Sequence, residues 1–496
     1  MSEHARVTIN LDRTIGHVDR RIFGGFVEHL GRCIYGGIFD EGSPLADSRG
    51  FRKDVMQAVE GLRMPVLRWP GGNFVSGYTW TDGIGPVEER PRRIELAWHD
   101  VESNRLGTDE FIAYCREIGA EPYICVNMGT GTMDEARAWV EYCNGTADTY
   151  WANRRRQNGH EEPYNVRYWG LGNEVYGSWQ MGALSADDYV KKATEFAKLM
   201  SRTDPAIELI SCGLDGISDW DQTVLSGLAK YIRYHSIHIY TGSDDFAENV
   251  YQPHLAEFDL KVVKTVIDRV RFAQKIDHEI TVAYDEWNVW FRERSETSGL
   301  EERYTLSDAL AVAAYLNIFI RQCEVMGMGN LAQLVNVIAP IFTSPDGLFL
   351  QTIYHPLQLM AEHTQDLALD AWYQGPVQEL PATVATTGTD SRVARLGPFD
   401  VVDVSATRST DGSTVAVSLV NRSENDPIDL AIDFGSARID GTMQRYEITG
   451  ADPTVTNDFG QERVRVDQRE ESVSGSEVRI TLPPHSHTVL RIAMTQ

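Results

Sequence analysis

Between about residue 20 and residue 365, short β-branched or aromatic runs alternate eight times with longer amphipathic ones, and few folds accommodate that rhythm. Strand candidates fall at 22–26, 66–69, 122–126, 166–171, 208–211, 235–240, 280–285 and 331–337. Helix candidates follow near 52–62, 108–118, 134–143, 186–203, 221–232, 255–276, 306–325 and 356–364. An open sheet rarely keeps such regularity, whereas eight strands each followed by a helix close into a barrel. The pattern therefore predicts an α/β fold, a (β/α)8 TIM barrel over residues 17–375.

Past about residue 375 the texture changes to short alternating runs, at 401–404, 414–419 and 478–482, separated by Asp-Gly, Asn-Arg-Ser and Gly-Ser turns. Residues 376–496 read as a C-terminal antiparallel β-sandwich. The N-terminal run at 6–11 is strand-like but precedes the first barrel candidate, so residues 1–16 are expected to cross over and pair into that sandwich.

Composition narrows the function. A formal charge of −26 disfavours nucleic acid and anionic membrane as partners and favours a neutral substrate. The N-terminal residues carry no basic and apolar leader pattern, and no apolar run reaches the roughly 18 residues of a membrane span, so a cytoplasmic protein is expected. Six scattered cysteines without a Cys-x-x-Cys pair argue against a disulfide framework or a structural zinc site. Neither a metal nor another cofactor is expected: Gly129-Thr-Gly131 lacks the Gly-Lys-Ser/Thr of a phosphate loop, and His235 and His238 project from opposite faces of a strand.

Functional side chains of such a barrel project from the C-terminal ends of its strands. The unusual polar residues cluster there: Glu28 and His29, Arg68 to Asn73, Asn127, Asn173 and Glu174, His238 and Tyr240, Glu286, and Asn336. Glu174 and Glu286 stand out, because each ends a short apolar strand and Glu is almost never buried unless paired or used. They are 286 minus 174, or 112, residues apart, room for three βα units, which sets them across the barrel mouth from one another. Two facing carboxylates suit hydrolysis of a glycosidic bond.

Six stretches, Phe23-Gly-Gly-Phe-Val-Glu-His-Leu-Gly31, Arg68-Trp-Pro-Gly-Gly-Asn73, Gly107-Thr-Asp-Glu-Phe111, Gly170-Leu-Gly-Asn-Glu174, Asp285-Glu-Trp-Asn-Val-Trp290 and Gln351-Thr-Ile-Tyr-His-Pro356, together resemble glycoside hydrolase family 51, the α-L-arabinofuranosidases. The resemblance covers nearly the whole chain. It implies Glu174 as acid/base and Glu286 as nucleophile, with Glu28, Asn73, Asn173, Tyr240 and Gln351 holding the arabinofuranose hydroxyls. Arg68 and His238 match residues supporting the nucleophile, and Trp98 and Trp290 match aromatics beside the sugar and leaving group. It also implies a homo-hexamer, a homo-oligomer that the residues themselves do not dictate.

The chemistry stands without the family. Retention of configuration needs carboxyls about 5–5.5 Å apart: Glu286 attacks the anomeric carbon while Glu174 protonates the leaving oxygen, then deprotonates water. The expected function is an exo-acting, retaining α-L-arabinofuranosidase that removes terminal arabinofuranosyl groups from arabinan or arabinoxylan oligosaccharides. Alternatives are another retaining clan activity, a β-xylosidase or endo-glucanase, on the same pair, and a noncatalytic sugar-binding barrel.

Overall fold

The computed structural model describes residues 5–291 and 300–494. Eight parallel strands close a barrel: β1 Gly24–Phe26, β2 Val66–Trp69, β3 Glu121–Cys125, β4 Tyr168–Leu171, β5 Glu208–Ser211, β6 Ile232–Thr241, β7 Thr281–Val289 and β8 Met326–Ala332. Each neighbours the next in chain order, and β8 closes on β1 through Asn330 beside Gly24. The eight expected helices form within a few residues of their expected ends, and helix starts carry the caps their free N–H groups need: the Ser185 side chain accepts from Asp188 N, and Thr305 forms a reciprocal box with Asp308.

The eighth strand lies ahead of its expected place at 331–337. The strand is the glycine-rich Met326–Ala332, where a Cβ on Gly327 would come within 2.1 Å of Thr281 Oγ1 and one on Gly329 within 2.7 Å of Ile22 O. Only glycine fits that closure, and the β-branched run that follows is buried connection at the mouth. Two helices among the described residues were not expected, the six-residue Phe246–Tyr251 and Tyr150–Gln157; the latter carries no apolar stripe, and it buries Ala152 and Arg155 alone.

The second unit is a mostly antiparallel sheet of nine strands folded over its own apolar core. The N-terminal strand Ala5–His17 lies inside it, antiparallel to Leu367–Gln374 and parallel to Ile428–Asp433. Strand Leu367–Gln374 thus belongs to this sheet although it precedes residue 376. A part-buried ion pair ties the units: Arg321, ending helix Leu306–Arg321, donates to the buried Asp403 on strand Val402–Arg408 at 3.0 and 3.1 Å.

Candidate active site

Strand parity builds the barrel interior in layers. Val66, Tyr123, Tyr168, Ile210, Tyr234, Ala283 and Met328 point inward and form a small interior core. Below it Arg21 donates to the hydroxyls of Tyr168 and Tyr234, both at 2.6 Å. Two residues further along the same strands the side chains become polar: Arg68 above Val66, Ser236 above Tyr234, Asp285 above Ala283. Gly170 leaves room for the Tyr123 hydroxyl, which reaches Asp285 Oδ2 at 2.6 Å.

A register shift then brings a second acid to the mouth. Ala283 sits beside Ser236 and Glu286 beside His238, so β7 advances three residues where β6 advances two. This bulge turns Asp285 and the adjacent Glu286 into one cluster, which strict alternation forbids. Opposite, Glu174 follows β4 at φ +42, a left-handed conformation that costs a non-glycine residue about 1 kcal/mol or more and recurs at functional sites.

Oxygens of Glu174 and Glu286 and a nitrogen of His238 all lie within 4.8 Å of one another. Glu286 accepts from Arg68 Nη1 at 2.9 Å on Oε2 and from the Tyr240 hydroxyl at 2.7 Å on Oε1. Glu174 Oε1 lies 3.0 Å from His238 Nδ1 and accepts from the Tyr176 hydroxyl at 3.2 Å, while Oε2 accepts from Trp179 Nε1 at 2.9 Å. Burial opposes charge on His238, but Glu286, Asp285 and Glu174 outweigh it and raise the imidazolium pKa to about 10. Burial likewise pushes the Glu174 carboxyl up, yet the hydrogen bond and charge of His238, then Trp179 and Tyr176, hold it below the ordinary range. Asp285 is also held low, burial notwithstanding, by Arg68, His238 and Ser236. A protonated imidazole offers no lone pair, and Arg68 already engages Glu286, so this triad is an ion-pair network ill suited to a metal cation.

Glu28 is buried and accepts from Phe74 N and Trp98 Nε1, both at 3.0 Å, and from Gln333 Nε2 at 2.8 Å. Burial, with Glu286 adding repulsion, raises its pKa to about 7 against the pull of those donors. Asn173 Oδ1 accepts from Arg68 Nη2 at 2.5 Å, and its Nδ2 is buried with no partner among the described residues. That is a free donor beside the carboxylate pair.

Two family models match the sequence, the α-L-arabinofuranosidase 1 domain over residues 58–256 and the α-L-arabinofuranosidase C-terminal domain over residues 285–486. The chain is 44% identical to α-L-arabinofuranosidase C of Emericella nidulans over 98% of its length and 97% of that protein's. Its fold matches the crystal structure of α-L-arabinofuranosidase from Thermotoga maritima in arabinose complex, at a TM-score of 0.92 and 41% identity over 99% and 100% of the two chains. The chain belongs to the α-L-arabinofuranosidases of glycoside hydrolase family 51. A bacterial relative named intracellular exo-α-(1→5)-L-arabinofuranosidase, from Halalkalibacterium halodurans, is 37% identical over 88% of each chain.

In this arabinofuranosidase, Glu28, Arg68, Asn173, Glu174, His238, Tyr240 and Glu286 form one linked cluster. Trp98 reaches it through Glu28, and Trp290 through an edge contact on the Tyr240 ring at 5.2 Å. Asn73 is held at its rim by Gln180 Nε2 at 2.5 Å. Gln351 is placed differently: buried, it bonds Glu302 O, Ala339 O and Tyr304 N, so its amide braces the backbone behind the mouth. Glycines 71 and 72 likewise serve Glu28, since a Cβ on either would come within 2.6 to 3.1 Å of its carboxylate. Sequence reasoning passed over Asp285, Tyr176, Trp179 and Gln333; alternation along the strand assigns Asp285 to the face opposite Glu286, and only the register shift brings it to the site.

Proposed function

We propose that this arabinofuranosidase is exo-acting and retaining, with Glu286 as nucleophile and Glu174 as acid/base. The observation that carries the reading is the approach of the two carboxylates to within 4.8 Å, because inverting enzymes hold theirs about 6.5–9.5 Å apart to admit water. Arg68 and Tyr240 orient Glu286, one on each oxygen, for attack on the anomeric carbon. Glu174 gives its proton to the glycosidic oxygen as the bond breaks and then takes one from the water that releases arabinose. Burial is the largest influence on the Glu174 carboxyl and favours the protonated form; a sugar filling the mouth strengthens it and competes with the donors that oppose it. The unpartnered Nδ2 of Asn173 suits the sugar's 2-hydroxyl, a contact that strengthens in the oxocarbenium-like transition state.

The substrates proposed are arabinan and arabinoxylan oligosaccharides, taken from their non-reducing ends by an enzyme of the cytoplasm that assembles as a homo-hexamer. The bacterial relative named as intracellular and exo-α-(1→5)-acting supports the exo action and the intracellular location. Product analysis on linear arabino-oligosaccharides tests the reading. Free arabinose from the first time point is expected; internal fragments appearing first would refute exo action, and preferential cleavage of β-xylosides would refute the sugar.

A further inference from the structure

Trp179 is 61% exposed, yet its one polar atom is committed, donating to Glu174 Oε2 at 2.9 Å. The ring is held there deliberately by the turn beneath it. Gly177 N donates to Glu174 O at 2.7 Å, Gln180 N donates to Gly177 O at 3.0 Å, and a Cβ on Gly177 would meet the indole at 2.4 to 2.9 Å. The buried Gln180 side chain pins the far end, donating to Asn73 Oδ1 and accepting from Ser76 Oγ at 2.8 Å. A fixed indole thus shows one face to solvent and its N–H to the carboxylate.

Glu174 Oε1 is engaged by His238 and Tyr176, so Oε2 is the oxygen left for the leaving group. An indole N–H is a donor only, and it matches an ionised oxygen, not one that carries the proton an acid must deliver. The glycosidic oxygen and the indole therefore compete for one place. We propose that Trp179 is a positioning residue that keeps Glu174 ionised in the empty site and releases it when the leaving sugar stacks on the exposed indole and its glycosidic oxygen takes the indole's place at Oε2. The released carboxylate takes one proton from solvent and passes it to the glycosidic oxygen as the anomeric C–O bond breaks. This rests on Glu174 being the acid/base.

The titratable groups facing Glu174 are His238 and Tyr240 from β6, Glu286 from β7, Cys212 beyond β5 and Tyr176 from its own loop. Neither Trp179→Phe nor Gly177→Ala alters them; the first deletes the donor, and the second keeps the indole but displaces it. The test is the pH profile of kcat/KM for both variants on an arabinofuranosyl disaccharide and on the dinitrophenyl arabinofuranoside, whose leaving group needs little protonation. The alkaline limb is expected to rise by roughly 0.5–1 pH unit in both variants. In Trp179→Phe the disaccharide-to-dinitrophenyl ratio of kcat/KM is expected to fall about tenfold, through KM. An unmoved limb in both variants, or equal losses on the two substrates, overturns the proposal. Glu174→Ala separates the two readings: if it retains the wild-type limb, the acid/base assignment itself has failed.

Discussion

Replacing Glu28 with Gln tests the electrostatics of the mouth without touching the carboxylate pair. The Glu28 carboxyl titrates near 7 in the folded protein against 4.5 as an ordinary glutamate, because burial and the Glu286 charge outweigh three donors. A folded pKa raised above the unfolded one contributes stability that is complete below about pH 4.5 and is lost as pH climbs through about 7. The gap of 7 minus 4.5 units, at about 1.4 kcal/mol per unit, bounds the effect at about 3.5 kcal/mol. Glutamine mimics the protonated form in shape. Its amide would face Gln333 Nε2, but Gln333 Oε1 has no partner among the described residues, so a flip of that amide restores the bond. Any residual mismatch is independent of pH, so the slope is the readout. Thermal or denaturant unfolding of both proteins from pH 4 to pH 8 should show the variant gaining on the wild type as pH rises, by up to about 3.5 kcal/mol. Parallel stability curves would refute the claim that Glu28 is a carboxyl poised near neutrality.

Tyr240→Phe removes one donor to Glu286 while keeping the ring edge on Trp290, and steady-state assays should find kcat lower by about ten- to a hundredfold with folding intact. Asp403→Asn leaves the part-buried Arg321 and the buried Arg422 against a neutral partner at the seam between barrel and sandwich, and should cost about 3 kcal/mol at neutral pH in denaturant unfolding. Burial opposes the Asp403 charge, but Arg321, Arg422 and His254 hold its pKa low, so the wild-type advantage is present above the ordinary carboxyl range and narrows as pH falls.

The barrel was readable because its helices carry apolar stripes and most of its strands are short β-branched runs between turns; period and length suffice for that. Reading failed where crowding or polarity replaced the pattern. The strand at Met326–Ala332 is glycine-rich because neighbouring backbone and Thr281 leave no room, and helix Tyr150–Gln157 buries an arginine where a stripe would place a leucine. The acids at 174 and 286 announced themselves as charges ending apolar strands. Asp285 did not, because simple alternation assigns it and Glu286 to opposite faces and the register shift that unites them leaves no mark in the residue types. Trp179 was invisible for a related reason: its contact with Glu174 is made by a turn five residues on, whose geometry depends on Gly177.

The most direct measurement of the double-displacement account is to trap the intermediate. A fluorinated arabinofuranosyl inactivator, which slows release more than attack, is incubated with the enzyme, and the labelled peptide is found by mass spectrometry after proteolysis. The account predicts one arabinofuranosyl group per chain, esterified to Glu286 and absent from Glu286→Ala. A label on Glu174, or turnover with inverted configuration and no covalent adduct, would contradict it.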